Sequence, residues 1–170
     1  MKSRFFYSIA LILFATVLLF SCGKSAKKAA QYNEKIVQEQ IKLQDNFNAF
    51  EATFADYKKE EMSSKLQEAL KQADASLEFF TKLDDFDNQS AYKNAAIEFA
   101  SMYKRLATNE FPKLVDRYSL PDSLFKADVE IECFNLLQDI DSIYNESFTK
   151  LVKAQKEFAS TYQFTIEEKK

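Results

Sequence analysis

The chain has 170 residues and a formal net charge of −3, with 17 Phe and 8 Tyr but no Trp and no His. That length suits one domain behind a short leader, long enough for a substantial core. An acidic balance lacks the clustered Lys and Arg that displace counterions from nucleic acid, so no nucleic-acid partner is expected. The absence of histidine removes the usual axial ligand of haem bundles, the Glu-x-x-His pattern of di-iron bundles and the base of a Cys–His nucleophile.

The N-terminus divides into three parts. Lys2 and Arg4 form a basic start, Phe5 to Phe20 is uncharged and mostly apolar, and Ser21-Cys22-Gly23 are small. The apolar run is shorter than the roughly 20 residues of a spanning helix, and the order of the parts is that of a secretory signal peptide. In detail, Leu19-Phe20-Ser21-Cys22 resembles the lipobox of bacterial lipoproteins. The resemblance implies that the Cys22 sulfur receives a diacylglycerol, that the chain is cut before it, and that the new amine is acylated. Residues 1–21 would then be a lipoprotein signal peptide. Losing Lys2 and Arg4 would leave the remaining chain more acidic still. Residues 22–30, small and basic after the cysteine, are expected to be a tether, with Lys24, Lys27 and Lys28 near anionic headgroups. Gly23 is not the aspartate associated with inner-membrane retention, so anchoring in the outer membrane is expected. The basic stretch Ser25-Ala26-Lys27-Lys28 differs from the acidic tract used for surface export, which favours the periplasmic face.

From residue 31 to 170 the composition selects a class. Gly23 is the single glycine of the chain, and Pro112 and Pro121 are its two prolines. Sheets joined by tight turns draw on Gly, Asn-Gly or Asp-Gly, whereas Ala, Leu, Lys, Glu and Gln favour helix. Three-four spacing then predicts four helices. The first carries Ile36, Leu43, Phe47, Phe50, Phe54 and Tyr57, with Gln40 standing where an apolar residue belongs. The second carries Met62, Leu66, Ala69, Ala73, Leu77 and Phe80. Tyr92, Ala96, Phe99, Tyr103 and Leu106 mark the third. Val129, Leu136, Ile140, Ile143, Leu151, Phe158 and Tyr162 run down a long fourth.

The breaks are expected at KKEEMSS, DDFDNQS and YSLPDS. Ser64 with Gln67, and Ser119 with Asp122, have capping-box spacing, and Asp87, Asn88 or Ser90 could cap the third helix. Pro112 predicts a kink or a local end between Asn109 and Pro112. Short connections make successive helices antiparallel neighbours, so the expected fold is an all-α, up-down-up-down four-helix bundle.

Chemically active constellations are scarce. Cys133 lies between Val129 and Leu136 and reads as a small core residue. Asp84, Asp85, Asp87 and Asn88 invite a calcium reading, but counting from Asp85 the sixth and twelfth loop positions hold Ser90 and Ala96 where an EF-hand needs Gly and Glu. Helix capping accounts for them better. Glu130 with Glu132, and Asp139 with Asp141, are two apart on a helix and do not face each other. No metal or cofactor is expected, and no enzymatic activity. Most aromatics fall on the stripes and read as core, while Phe79, Phe80 and Phe86 at one bundle end are candidates for exposure to a ligand or partner.

Four stretches, AQYNEKIVQEQIKL, ADASLEFFTKLDDFDNQSAYKNAA, NEFPKLVDRY and KAQKEFASTYQFTIEE, resemble an uncharacterised leptospiral-type surface-protein family of small bacterial lipoproteins. The resemblance implies a lipid-anchored helical domain without assigned chemistry, in which Tyr32-Asn33 opens the first helix. The expected function is a non-enzymatic interaction or structural module held to the outer membrane through Cys22, with an unidentified protein partner. The alternative is a binder of an apolar small molecule or lipid inside the bundle.

Overall fold

Each apolar stripe becomes the inner side of a helix in the computed structural model, which describes residues 23–166. The elements are α1 (Gly23–Ala52), a 3-10 turn (Thr53–Ala55), α2 (Lys59–Lys82), α3 (Ala91–Asn109), α4 (Phe111–Tyr118) and α5 (Ala127–Tyr162). No strand forms among the described residues. The protein is an all-α bundle of four long helices, α1, α2, α3 and α5, with short α4 lying between α3 and α5 in sequence. Residues 1–22, including Cys22 and the apolar run before it, lie outside the described residues.

Pro112 explains α4. Its ring cannot follow the preceding turn and it offers no N–H, so it sits in the first turn of a new helix, where that donor has no partner to lose. The third predicted helix therefore ends at Asn109 and restarts at Phe111, within the interval expected.

The other boundaries differ from the expected ones. α1 starts at Gly23, so residues 23–30 of the expected tether are helical, and Ala29 and Ala30 are buried. Ser64 lies inside α2, which begins at Lys59 without a side-chain cap; Glu60 and Glu61 in its first turn suit the positive end of the helix dipole instead. α5 starts at Ala127, likewise without a side-chain cap, five residues beyond Asp122. Asp87 and Asn88 do not cap α3. They are the central residues of a turn closed by Gln89 N–H donating to Phe86 O at 2.8 Å, with φ of 49° and 59°. Positive φ at both positions is the type I′ pattern, which Asp and Asn tolerate without glycine. α5 also ends without glycine. Gln163 is left-handed at φ 56°, Phe164 N–H reaches back to Ala159 O at 3.1 Å, and the Phe164 ring packs 5.8 Å from Phe158. That is a Schellman ending with its apolar contact.

The stripes of α1 to α3 supply most of the interior. Phe47, Phe50, Phe54, Phe80 and Phe99 are each at most 2% exposed. Near the C-terminal end of α1, Phe47 packs on Tyr103 at 4.2 Å and Phe50 meets Phe111 edge-on at 5.0 Å. Near its N-terminal end a second aromatic knot forms around Phe158, with Tyr32, Phe86 and Tyr92 at 5.3–5.6 Å. This corrects the expectation of exposed aromatics: Phe80 is buried, and Phe79 and Phe86 are half-buried against the core. Leu77, Val129, Leu136, Ile143 and Tyr162 are also half-buried, so the α5 stripe is shallower than its spacing suggested.

Cross-helix contacts fix which parts of the helices lie together. Tyr32 in α1 donates to Asp84 O just past α2, at 3.0 Å. Lys104 in α3 pairs with Asp74 in α2, while Lys93 pairs with Asp85. Gln44 in α1 reaches Tyr144 in α5, and Asn33 reaches Gln155. α2 packs closely on α1 and α3, and α3 on α5, whereas α1 and α5 touch more lightly.

Candidate functional site

The lighter α1–α5 contact is also a polar one. Asn33, Gln40, Gln44 and Glu51 recur at spacings of seven, four and seven residues, which keeps them on one side of α1. That side faces α5, and it explains why Gln40 interrupts the apolar stripe.

Asn33 is fully buried, and its Oδ1 accepts the Tyr92 hydroxyl and the Gln155 amide, each at 2.9 Å. One carbonyl thereby ties α1, α3 and α5 together. Its Nδ2 has no partner, and neither has the buried Gln40 Nε2. Gln40, Gln44 and Gln155 line a cavity of about 20 Å³ with Val37, Phe99, Phe148 and Leu151. Such a space admits roughly one water molecule. It is far below the 300–1,000 Å³ or so of a small-molecule pocket.

Farther along the seam, Gln44 donates to Tyr144 Oη at 3.2 Å. Glu51, half-buried beyond it, has its pKa pushed up to about 7, chiefly by burial and then by the Asp141 carboxylate of α5. Asp141 is itself half-buried, whereas Glu130, Glu132 and Asp139 are exposed, as expected for a solvated face. A second buried polar group joins α1 to α2: Glu39 Oε1 accepts from Ser76 Oγ at 2.9 Å and Gln72 Nε2 at 3.0 Å.

These groups hold helices in register more readily than they perform chemistry. Burial raises the hydroxyl pKa of Tyr92, Tyr103 and Tyr144, and that of Tyr32 to about 12, so all four remain neutral near pH 7. Cys133 is free, 2% exposed and part of the core, the place expected for it. Burial, helped by neighbouring Glu132, raises its thiol pKa, the opposite of what an activated thiolate needs. Of the acidic loop, Asp85 pairs with Lys93, Asp84 contributes a carbonyl to Tyr32, and Asp87 and Asn88 make the turn. Among the described residues no three His, Cys, Asp or Glu side chains are grouped to hold a metal ion, and no helix is long and apolar enough to cross a membrane.

Sequence reasoning found Gln40 as an anomaly, placed Asn33 at the opening of the first helix although α1 begins ten residues earlier at Gly23, and missed Gln155 and Glu51, because polar residues on a stripe gain meaning only when the facing helix is known. It also missed the surface that carries the exposed large side chains. Among the described residues these are Leu124, Ile131 and Phe134, at 55%, 61% and 47% exposure. They lie off the α5 stripe, in its entry loop and first turns.

No family model matches the chain, and neither does any curated protein or solved structure. The resemblance to leptospiral-type surface proteins has no such match beneath it, and function rests on the residues themselves.

Proposed function

We propose that the protein is a lipid-anchored helical module that acts by binding another protein at the outer membrane, and that its interior is structural. The observation that carries this reading is the contrast between a core of packed aromatic side chains, whose seam cavity holds about 20 Å³, and large apolar side chains exposed on one short segment. A container for an apolar ligand would need an interior space more than tenfold larger. Tyr32, Asn33, Gln44, Asp74 and their partners are arranged as an up-down-up-down order of α1, α2, α3 and α5 would require.

The anchor reading rests on the lipobox-like Leu19-Phe20-Ser21-Cys22. Each buried acyl CH₂ contributes about 0.8 kcal/mol, so several chains on one cysteine hold a protein to a bilayer durably. Lys27 and Lys28 are exposed at the start of α1, adjacent to that anchor. The basic residues after Cys22 support the periplasmic face over the cell surface.

Replacement of Cys22 tests the proposal. Cys22→Ala should move the protein out of the washed membrane fraction with its helical circular dichroism intact. Full retention in membranes would overturn the anchor assignment.

A further inference from the structure

Leu124, Ile131 and Phe134 are all the large apolar side chains that stand exposed among the described residues, and they fall within the α5 entry loop and its first turns. Isolated exposed leucines are common on proteins, but confinement of every such residue to one segment marks an interaction surface. Ile131 and Phe134 are three apart and share a helix face.

The charge around them is mainly acidic, although exposed Lys126 stands just before α5 and Arg117 lies against Glu132. Asp128, Glu130, Glu132 and Asp139 are exposed and precede any cation within α5, whose first is Lys150. Glu132 alone of these has an ion pair among the described residues, with Arg117 at 2.6 Å. A second copy docked through the same face would set carboxylates against carboxylates, and an anionic lipid surface would be repelled in the same way. A segment with an apolar stripe and flanking Lys or Arg meets both features.

We infer that the first turns of α5 dock a basic amphipathic helix of a partner protein, with Ile131 and Phe134 as apolar anchors and the surrounding carboxylates as the electrostatic guide. This rests on the interaction-module reading and specifies its partner. α1 has 30 residues, which at about 1.5 Å each extends roughly 45 Å. With α1 and α5 antiparallel, an anchor before Gly23 leaves the start of α5 at the far end, open to a partner.

The test uses the full lipidated chain in phosphatidylcholine vesicles, with a fluorescent helical Lys-Leu peptide and its Glu-Leu counterpart as probes. The Lys-Leu peptide should bind above the empty-vesicle background, more weakly at high salt. Ile131→Ser combined with Phe134→Ser should lower its affinity at least tenfold. Equal binding by that variant, or equal binding of the Glu-Leu peptide, would overturn the inference. If the double variant melts early, Asp128→Asn with Glu130→Gln replaces it. Reduced affinity with a shallower salt dependence supports the inference, and unchanged binding overturns it. A concentration-dependent dimer abolished by Ile131→Ser would assign the face to a second copy instead. Failure of the peptide leaves membrane anchoring to the Cys22→Ala fractionation and partner binding to crosslinking in cells, so the two readings fail separately.

Discussion

The two halves of α5 use the same helix for opposite ends. Its C-terminal half sends Leu151, Gln155 and Phe158 into the bundle, where Phe158 organises an aromatic knot and Gln155 completes the hydrogen bonds of Asn33. Its N-terminal half buries Cys133 and Ile140 but leaves Val129 and Leu136 half-covered, and turns Ile131 and Phe134 outward among carboxylates. Cations return only from Lys150 onward, where Lys150 pairs with Glu146 and Lys153 with Glu157. One half is therefore held by packing and internal hydrogen bonds, and the other carries the large apolar side chains that stay most exposed among the described residues.

Substitutions should separate the halves. Phe158→Ala removes the centre of the knot and should cost about 3–5 kcal/mol, the range for large aromatic core truncations, read by chemical denaturation. An unchanged midpoint would show that the knot contributes no stability. Asn33→Ala takes the acceptor from Tyr92 and Gln155 at once, and stranding buried donors costs about 1–3 kcal/mol. A loss no greater than that of an exposed α1 substitution such as Asn48→Ala would remove the seam from the account.

Glu51 supplies a pH-dependent prediction. Its folded pKa of about 7 lies above its ordinary value of 4.5, so the folded state holds the proton more tightly than the unfolded chain. Its favourable contribution is complete below about pH 4.5 and is lost as pH rises through 7. Glu51→Gln should flatten the dependence of Tm on pH between 5 and 8, with the largest gain at pH 8. An unaltered profile would mean that burial and Asp141 do not act on this carboxyl. The smallest effect belongs to the outer face: Ile131→Ser, at the most exposed of the large apolar side chains, should shift stability by no more than about 0.5 kcal/mol, as surface changes do. A large loss would place Ile131 in the structural half.

Much of the fold could be read from the chain because helix stripes are local. Ile36 to Phe54 and Tyr92 to Leu106 needed only their spacing, and Pro112 announced the α3–α4 break through its missing donor. The cap assignments failed where tertiary packing set the boundary: α2 begins five residues before Ser64, and Asp87-Asn88 serve a turn rather than a cap. Leu136 was expected to be core, but the pattern cannot report how much of a helix its neighbours cover. The seam was legible only as one polar residue, Gln40, on an apolar stripe. Asn33 and Gln155 are separated by most of the chain, and their relation emerges only when α5 lies against α1. Ile131 and Phe134 gave no signal until the inner face of α5 was known.

The central claim is that this protein works from the outer face of early α5 and not from its interior. A photo-crosslinking amino acid placed at Ile131, and separately at the exposed Lys153 of the later half, tests it in intact native cells. The account predicts a discrete protein adduct from position 131, competed by the Lys-Leu peptide in permeabilised cells, and none from position 153. Adducts of equal yield from both positions, or from position 153 alone, would contradict it.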